Sequence, residues 1–139
     1  MNKALFATLA LGAAVAFAGS ASAEKLKATL DGKSEVPATT SSATGTADLD
    51  YDAATKKLSW KVSYSGLSGP ATAAHFHGPA EVGKNAGVAV PIAGIATSPA
   101  EGSATLTDAQ AADLLAGKLY VNIHTAANPG GEIRGQVTK

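Results

Sequence analysis

The sequence predicts a mostly β fold: an antiparallel β-sandwich or flattened barrel of seven to eight short strands with one short helix. Three observations predict it. Apolar residues recur at every second position in several short runs, the period of a strand with one buried and one wet face. Gly-, Pro- and Asn-rich turns separate those runs. Only one helical pattern appears, whereas a parallel sheet needs repeated crossover helices.

The elements follow in order. Short strands are predicted at 26–30 and 45–51, and residues 52–56 join the second to the third as a hairpin. In the third, Leu58, Trp60, Val62 and Tyr64 alternate with Lys57, Ser59, Lys61 and Ser63, which makes Trp60 a core residue. A tight turn spans 66–70, and a strand follows at 72–77. Residues 79–101 form the longest irregular stretch, and such stretches are often functional or mobile. Inside it Val88 to Val90 predicts a short edge piece stopped by Pro91, which has no N–H for a ladder. A strand at 102–106 leads into the helix. Thr107 and Gln110 have capping-box spacing, Asp108 suits the positive end of the helix dipole, and Gly117 suits the left-handed stop. Ala111, Leu114 and Leu115 form its apolar stripe. Leu119, Val121 and Ile123 then alternate with Tyr120, Asn122 and His124. After the turn Asn128-Pro129-Gly130-Gly131, Ile133 and Val137 alternate with Glu132, Arg134 and Gln136.

Residues 1–23 read as a secretory signal peptide. Lys3 precedes an apolar run from Ala4 to Phe17, and Ala21-Ser22-Ala23 is a small-x-small cleavage site. The expected product is exported, periplasmic or secreted, with no membrane span once the leader is gone. Residues 24–139 are the size of one domain with a single core. Without Lys3 that domain carries ten basic residues against eleven acidic ones. This balance excludes nucleic acid and anionic lipid, which are held by basic clusters. A monomer is expected. There is no Cys, and Met1 is the sole Met. The domain is therefore held by its core and not by disulfides.

Several segments together resemble one family. They are Glu35-Val36-Pro37, Thr44-Gly45-Thr46-Ala47, Tyr64-Ser65-Gly66-Leu67, and Ala74-His75-Phe76-His77-Gly78-Pro79-Ala80. Leu115 to Thr125 and Pro129 to Gln136 complete the set. In this order, over nearly all of 25–137, the chain is similar to the CHRD (chordin-type) domain, as a bacterial exported member. Ala38 departs from the pattern, where the family often has a second Pro. In chordin such domains belong to an extracellular antagonist of growth-factor signalling. The resemblance implies a single CHRD domain at 24–139 and no particular chemistry.

The candidate chemistry lies in the three histidines. His75 and His77 share one face of a strand, with Cα atoms about 6.6 Å apart by strand rise. Phe76 between them belongs to the core, so both imidazoles lie on the outer face or in a cleft. Alternation puts His124 off the core as well. If the two strands pair, the three rings meet, and three neutral imidazoles are a first-row metal's ligand set. With no thiolate or thioether available, the ion expected is Cu(II) or Zn(II). Glu35 and Glu132 are the carboxylates nearest by motif, and Asn122 shares the face of His124 and is placed to orient it. Arg134, the only Arg, is expected to pair with Glu35 or Glu132, or else to anchor an anion. The plainer alternative has His75 and His77 bonding the Gly78-Pro79 turn and His124 capping the 128–131 turn.

An enzyme is the least supported class. No nucleophile elbow is present, and no carboxylate pair stands out. A dismutase-type two-metal site needs more His than three. Two readings stay open. One is a metal-binding protein. The other is an interaction module presenting its sheet faces or the 79–101 loop to another exported protein or surface component.

Overall fold

The computed structural model describes residues 23–139. The leader expected at 1–23 lies outside them, apart from Ala23. Eight antiparallel strands and one helix follow one another as β1 (Ala23–Asp31), β2 (Thr44–Asp52), β3 (Lys57–Ser65), β4 (Ala71–His77), β5 (Val88–Pro91), β6 (Ala100–Thr105), α1 (Asp108–Leu115), β7 (Tyr120–Thr125) and β8 (Ile133–Gln136). The fold is the mostly β one that the alternation predicts. Among the described residues no helix is long and apolar enough to cross a membrane.

The strands form one sheet in the order β5-β4-β7-β8-β1-β2-β3-β6. The sheet curls until it nearly closes. Trp60 of β3 and Phe76 of β4 stand five places apart in that order, yet their rings meet edge-on with centroids 5.2 Å apart. The inner face is mainly apolar. Leu30, Leu58, Val62, Phe76, Val121, Ile123, Ile133 and Val137 are all fully buried. Burying one such side chain stabilises the fold by about 1.5–3 kcal/mol.

The helix bridges the two free sheet edges. Its capping box forms as expected: Gln110 N–H donates to Thr107 Oγ1 at 3.1 Å, and Thr107 N–H donates to Gln110 Oε1 at 3.0 Å. Gln110 also donates from Nε2 to the carbonyl of Ala89 in β5, which seats α1 on that edge. Gly117 takes φ +73° and ends the helix. Ala111 and Leu114 are buried, but Leu115 is exposed, so the apolar stripe is narrower than the sequence suggests. At eight residues the helix turns only two positions inward.

The two halves of the barrel differ on the outside. In β1 and β2 buried and exposed residues alternate, and β3 largely follows them. In β7 and β8 both faces are buried, apart from His124 and Gln136, which are partly open. The expectation that only Leu119, Val121 and Ile123 of that run are buried is therefore too narrow, since Tyr120 and Asn122 are buried too. Two loops make the difference. Residues 32–43 and 78–87 come from opposite ends of the barrel and meet where Asn85 Nδ2 donates to the Val36 carbonyl at 3.1 Å.

Candidate metal site

Strand register decides what those loops cover. His75 of β4 pairs with Asn122 of β7, and Asn122 pairs with Arg134 of β8. One step along, His77 pairs with Tyr120, and Tyr120 with Gln136. His124 pairs with Ala73, diagonal to His75. With Phe76, Val121 and Ile123 inside, the period of two sends this whole set outward. The result is a polar layer on the outer face of β4, β7 and β8.

The three histidines come together there. One nitrogen of each lies within 4.8 Å of the others. His75 Nδ1 and His124 Nε2 are 3.2 Å apart. Two nitrogens about 2.0–2.1 Å from one tetrahedral ion stand roughly 3.3 Å apart, so this pair already has a chelate's spacing. His77 is set further off. Its ring centroid is 5.3 Å from that of His75 and 6.2 Å from that of His124.

Two rings are fixed by main-chain carbonyls. His124 Nδ1 lies 2.9 Å from the Pro129 oxygen, and His77 Nδ1 lies 3.0 Å from the Ala86 oxygen. A carbonyl only accepts, so each Nδ1 carries the hydrogen and each Nε2 is left with its lone pair in the neutral ring. That is how metal-ligating histidines are usually oriented. His77 also stacks on Tyr120, with planes 8° apart and centroids 4.9 Å apart. Burial pushes the pKa values of His75 and His77 down, and for His75 the neighbouring His124 and His77 add to the effect. The bonds of His77 to Ala86 and Asn122 oppose its shift without reversing it. Both rings are therefore neutral at pH 7, as ligands must be.

The surrounding polar residues depart from expectation. Asn122 orients His77 and not His124: its Oδ1 lies 2.8 Å from His77 Nε2. Burial on both faces let the amide reach along its own strand pair, which alternation cannot show. Arg134 makes neither expected ion pair. It donates to Asn85 Oδ1 at 2.8 Å and to the Lys84 carbonyl, and its guanidinium lies 3.5 Å over the Tyr120 ring. Arg134 thus clamps the 78–87 loop, helped by Tyr120, whose hydroxyl donates to the Ala86 carbonyl and accepts from its N–H. The turn at Gly78-Pro79 is not what His75 and His77 bond, but His124 does tie down the 128–131 turn, as the plainer alternative expects.

Glu132 is no ligand candidate. Its carboxylate is fully buried at the barrel end. It accepts from Ser41 Oγ at 2.8 Å, Ser68 N–H at 2.9 Å, Thr125 Oγ1 at 2.7 Å and Asn128 Nδ2 at 3.2 Å, and from the Ser68 hydroxyl. Burial alone would raise its pKa, but the donors from Ser68, Thr125 and Ser41 bring it down to about 2. Glu35 is buried too, and its Oε2 has no hydrogen-bond partner. Burial pushes its pKa up, against the opposing pull of the Arg134 charge, the Asn122 amide and the Val36 N–H. The sequence flagged both glutamates, but their opposite environments come from loops that meet only in the folded chain.

The family model of the CHRD domain matches residues 26–137, four-fifths of the chain. No curated protein and no solved structure matches it significantly.

Proposed function

We propose that this chain, which belongs to the CHRD family, binds one divalent transition-metal ion, Cu(II) or Zn(II), through His75, His77 and His124. The observation that carries the reading is the convergence of three imidazole nitrogens within 4.8 Å, from strands paired side by side. The main-chain bonds of His77 and His124 support it, because they put the hydrogen of each neutral ring on Nδ1 and the lone pair on Nε2, which in His77 faces Asn122. His75 ligates through Nδ1, and its proton moves to its own Nε2. The donor set is all imidazole, which suits Cu(II) and Zn(II) and not a soft-ligand Cu(I) carrier. The leader-like start of the sequence supports an exported setting, periplasmic or secreted, for this site.

A second reading, an interaction module without metal, is favoured by Val82 and Val88, which are 76% and 57% exposed on and beside the 78–87 loop. One experiment separates the two. Untagged protein, stripped with chelator, is titrated calorimetrically with Cu(II) and with Zn(II), beside the triple variant His75→Ala/His77→Ala/His124→Ala. The proposal expects one equivalent bound at micromolar concentration or tighter, lost in a triple variant whose circular dichroism is unchanged. Absence of binding to the parent, or equal binding to the variant, would sink it.

A further inference from the structure

His77 has an acceptor at each ring nitrogen. The Ala86 carbonyl faces Nδ1, and Asn122 Oδ1 faces Nε2. A neutral imidazole has one N–H, and the carbonyl claims it. The Asn122 oxygen then meets a lone pair. An amide turned over resolves the conflict, because its O and N are told apart only by their bonding. Nδ2 then donates to His77 Nε2, and Oδ1 turns toward the other neighbour, Glu35.

Glu35 is fitted to this exchange. The Asn122 amide and the Arg134 charge both favour its ionised form, against its burial. A Cβ on Gly131 would fall 1.8 Å from Glu35 Oε2 and 2.7 Å from Asn122 Nδ2, so both groups close on the same bare backbone. The unpartnered Oε2 lies there, buried. An ionised carboxyl only accepts, and draws Nδ2 to itself. The lone pair of His77 then has no donor over it. A carboxyl or amide that offers a hydrogen takes Oδ1 instead, and Nδ2 caps the lone pair.

We propose that Glu35 is a positioning residue for the histidine site, acting through the Asn122 amide to set whether His77 Nε2 is capped by an N–H or open to an ion. This rests on the metal reading for its consequence, but not for its mechanism.

The test uses Glu35→Gln, which keeps shape and offers an N–H to Asn122 Oδ1. In metal-free protein, nitrogen NMR of His77 should show Nε2 shifted toward a capped, hydrogen-bonded lone pair relative to the parent. Cu(II) affinity should fall by about tenfold or more, a size that outer-shell changes commonly have, because the ion must displace the N–H that caps Nε2. In an Asn122→Ala background the Glu35→Gln change should have no further effect on either measurement. Unchanged His77 signals and unchanged affinity in Glu35→Gln overturn the proposal, and so does a full effect that persists without Asn122. Shifted His77 signals in a protein that takes up no Cu(II) sustain the relay and remove the metal reading alone. Should Glu35→Gln not fold, Asn122→Ala decides: it removes the cap while Ala86 and Tyr120 still hold the ring. Affinity equal to or above the parent's supports the proposal, and a loss overturns it.

Discussion

Glu132 and Glu35 are two buried carboxylates under the same set of loops, and they are opposites. Glu132 accepts from five groups on four residues, and its carboxyl is held well below the usual carboxylate range. Glu35 has an oxygen with no partner and a pKa pushed up. A buried polar group whose bonds are all made is worth keeping for stability, whereas one left short costs stability. The difference teaches where each acts. Glu132 joins the 39–43, 66–68 and 125–128 segments into one rigid barrel end. Glu35 sits beside Asn122, which in turn bonds His77, and there its unpartnered oxygen is left at a small cost in stability.

The largest expected effect comes from breaking the satisfied side. Glu132→Ala leaves its buried donors without an acceptor and should cost about 3 kcal/mol or more in urea unfolding. The pH dependence follows the same residue. Its folded pKa, about 2, lies below the ordinary 4.5, so its contribution is complete above 4.5 and is lost as pH falls toward 2. Glu132→Gln should flatten that part of the acid unfolding curve. If Glu132→Ala unfolds at the parent's midpoint, the contrast between the two carboxylates fails.

An intermediate effect is expected where the two sides touch. Gly131 precedes Glu132 in sequence and holds φ +124°, a region other residues rarely enter. A side chain there would also strike the Glu35 carboxyl. Gly131→Ala should destabilise by about 2–4 kcal/mol and displace Glu35 from Asn122, which the His77 nitrogen signals would report.

The smallest effect has the opposite sign. The raised pKa of Glu35 means that the folded state disfavours its charge. That cost is absent below the ordinary carboxylate pKa and grows as pH rises through the folded value. Glu35→Gln should therefore match the parent in acid and exceed it at neutral pH, by less than about 1 kcal/mol. A variant less stable than the parent at neutral pH would show Glu35 to be another structural carboxylate.

Much of this was legible in the sequence where burial is one-sided. Trp60 and Val62 read as core because their neighbours are polar and face water, and Phe76 because a large apolar ring stands between two polar ones. The histidines read as outward for the same reason, since Phe76 and Ile123 fix the phase of their strands. The reading fell short in β7 and β8. There Tyr120, Asn122 and Arg134, and Glu132 just before β8, are buried by loops that cross over the sheet, and a period of two reports only which face a residue takes, not what covers it. Arg134 was assigned a carboxylate because Arg pairs with carboxylates in general; Asn85 and Tyr120 became its partners because the 78–87 loop lies over β8.

By itself the sequence determined the strands, the capped helix, the family and which side chains leave the core, because these follow from local spacing and from the alternation of the chain. Tertiary structure alone decided that His75 and His124 stand one ion's width apart, that Asn122 serves His77, and that one buried glutamate is saturated while the other is not. Each of these depends on residues tens of positions apart meeting across paired strands and crossing loops, and a hydrogen bond forms between neighbours in space, whatever their distance along the chain.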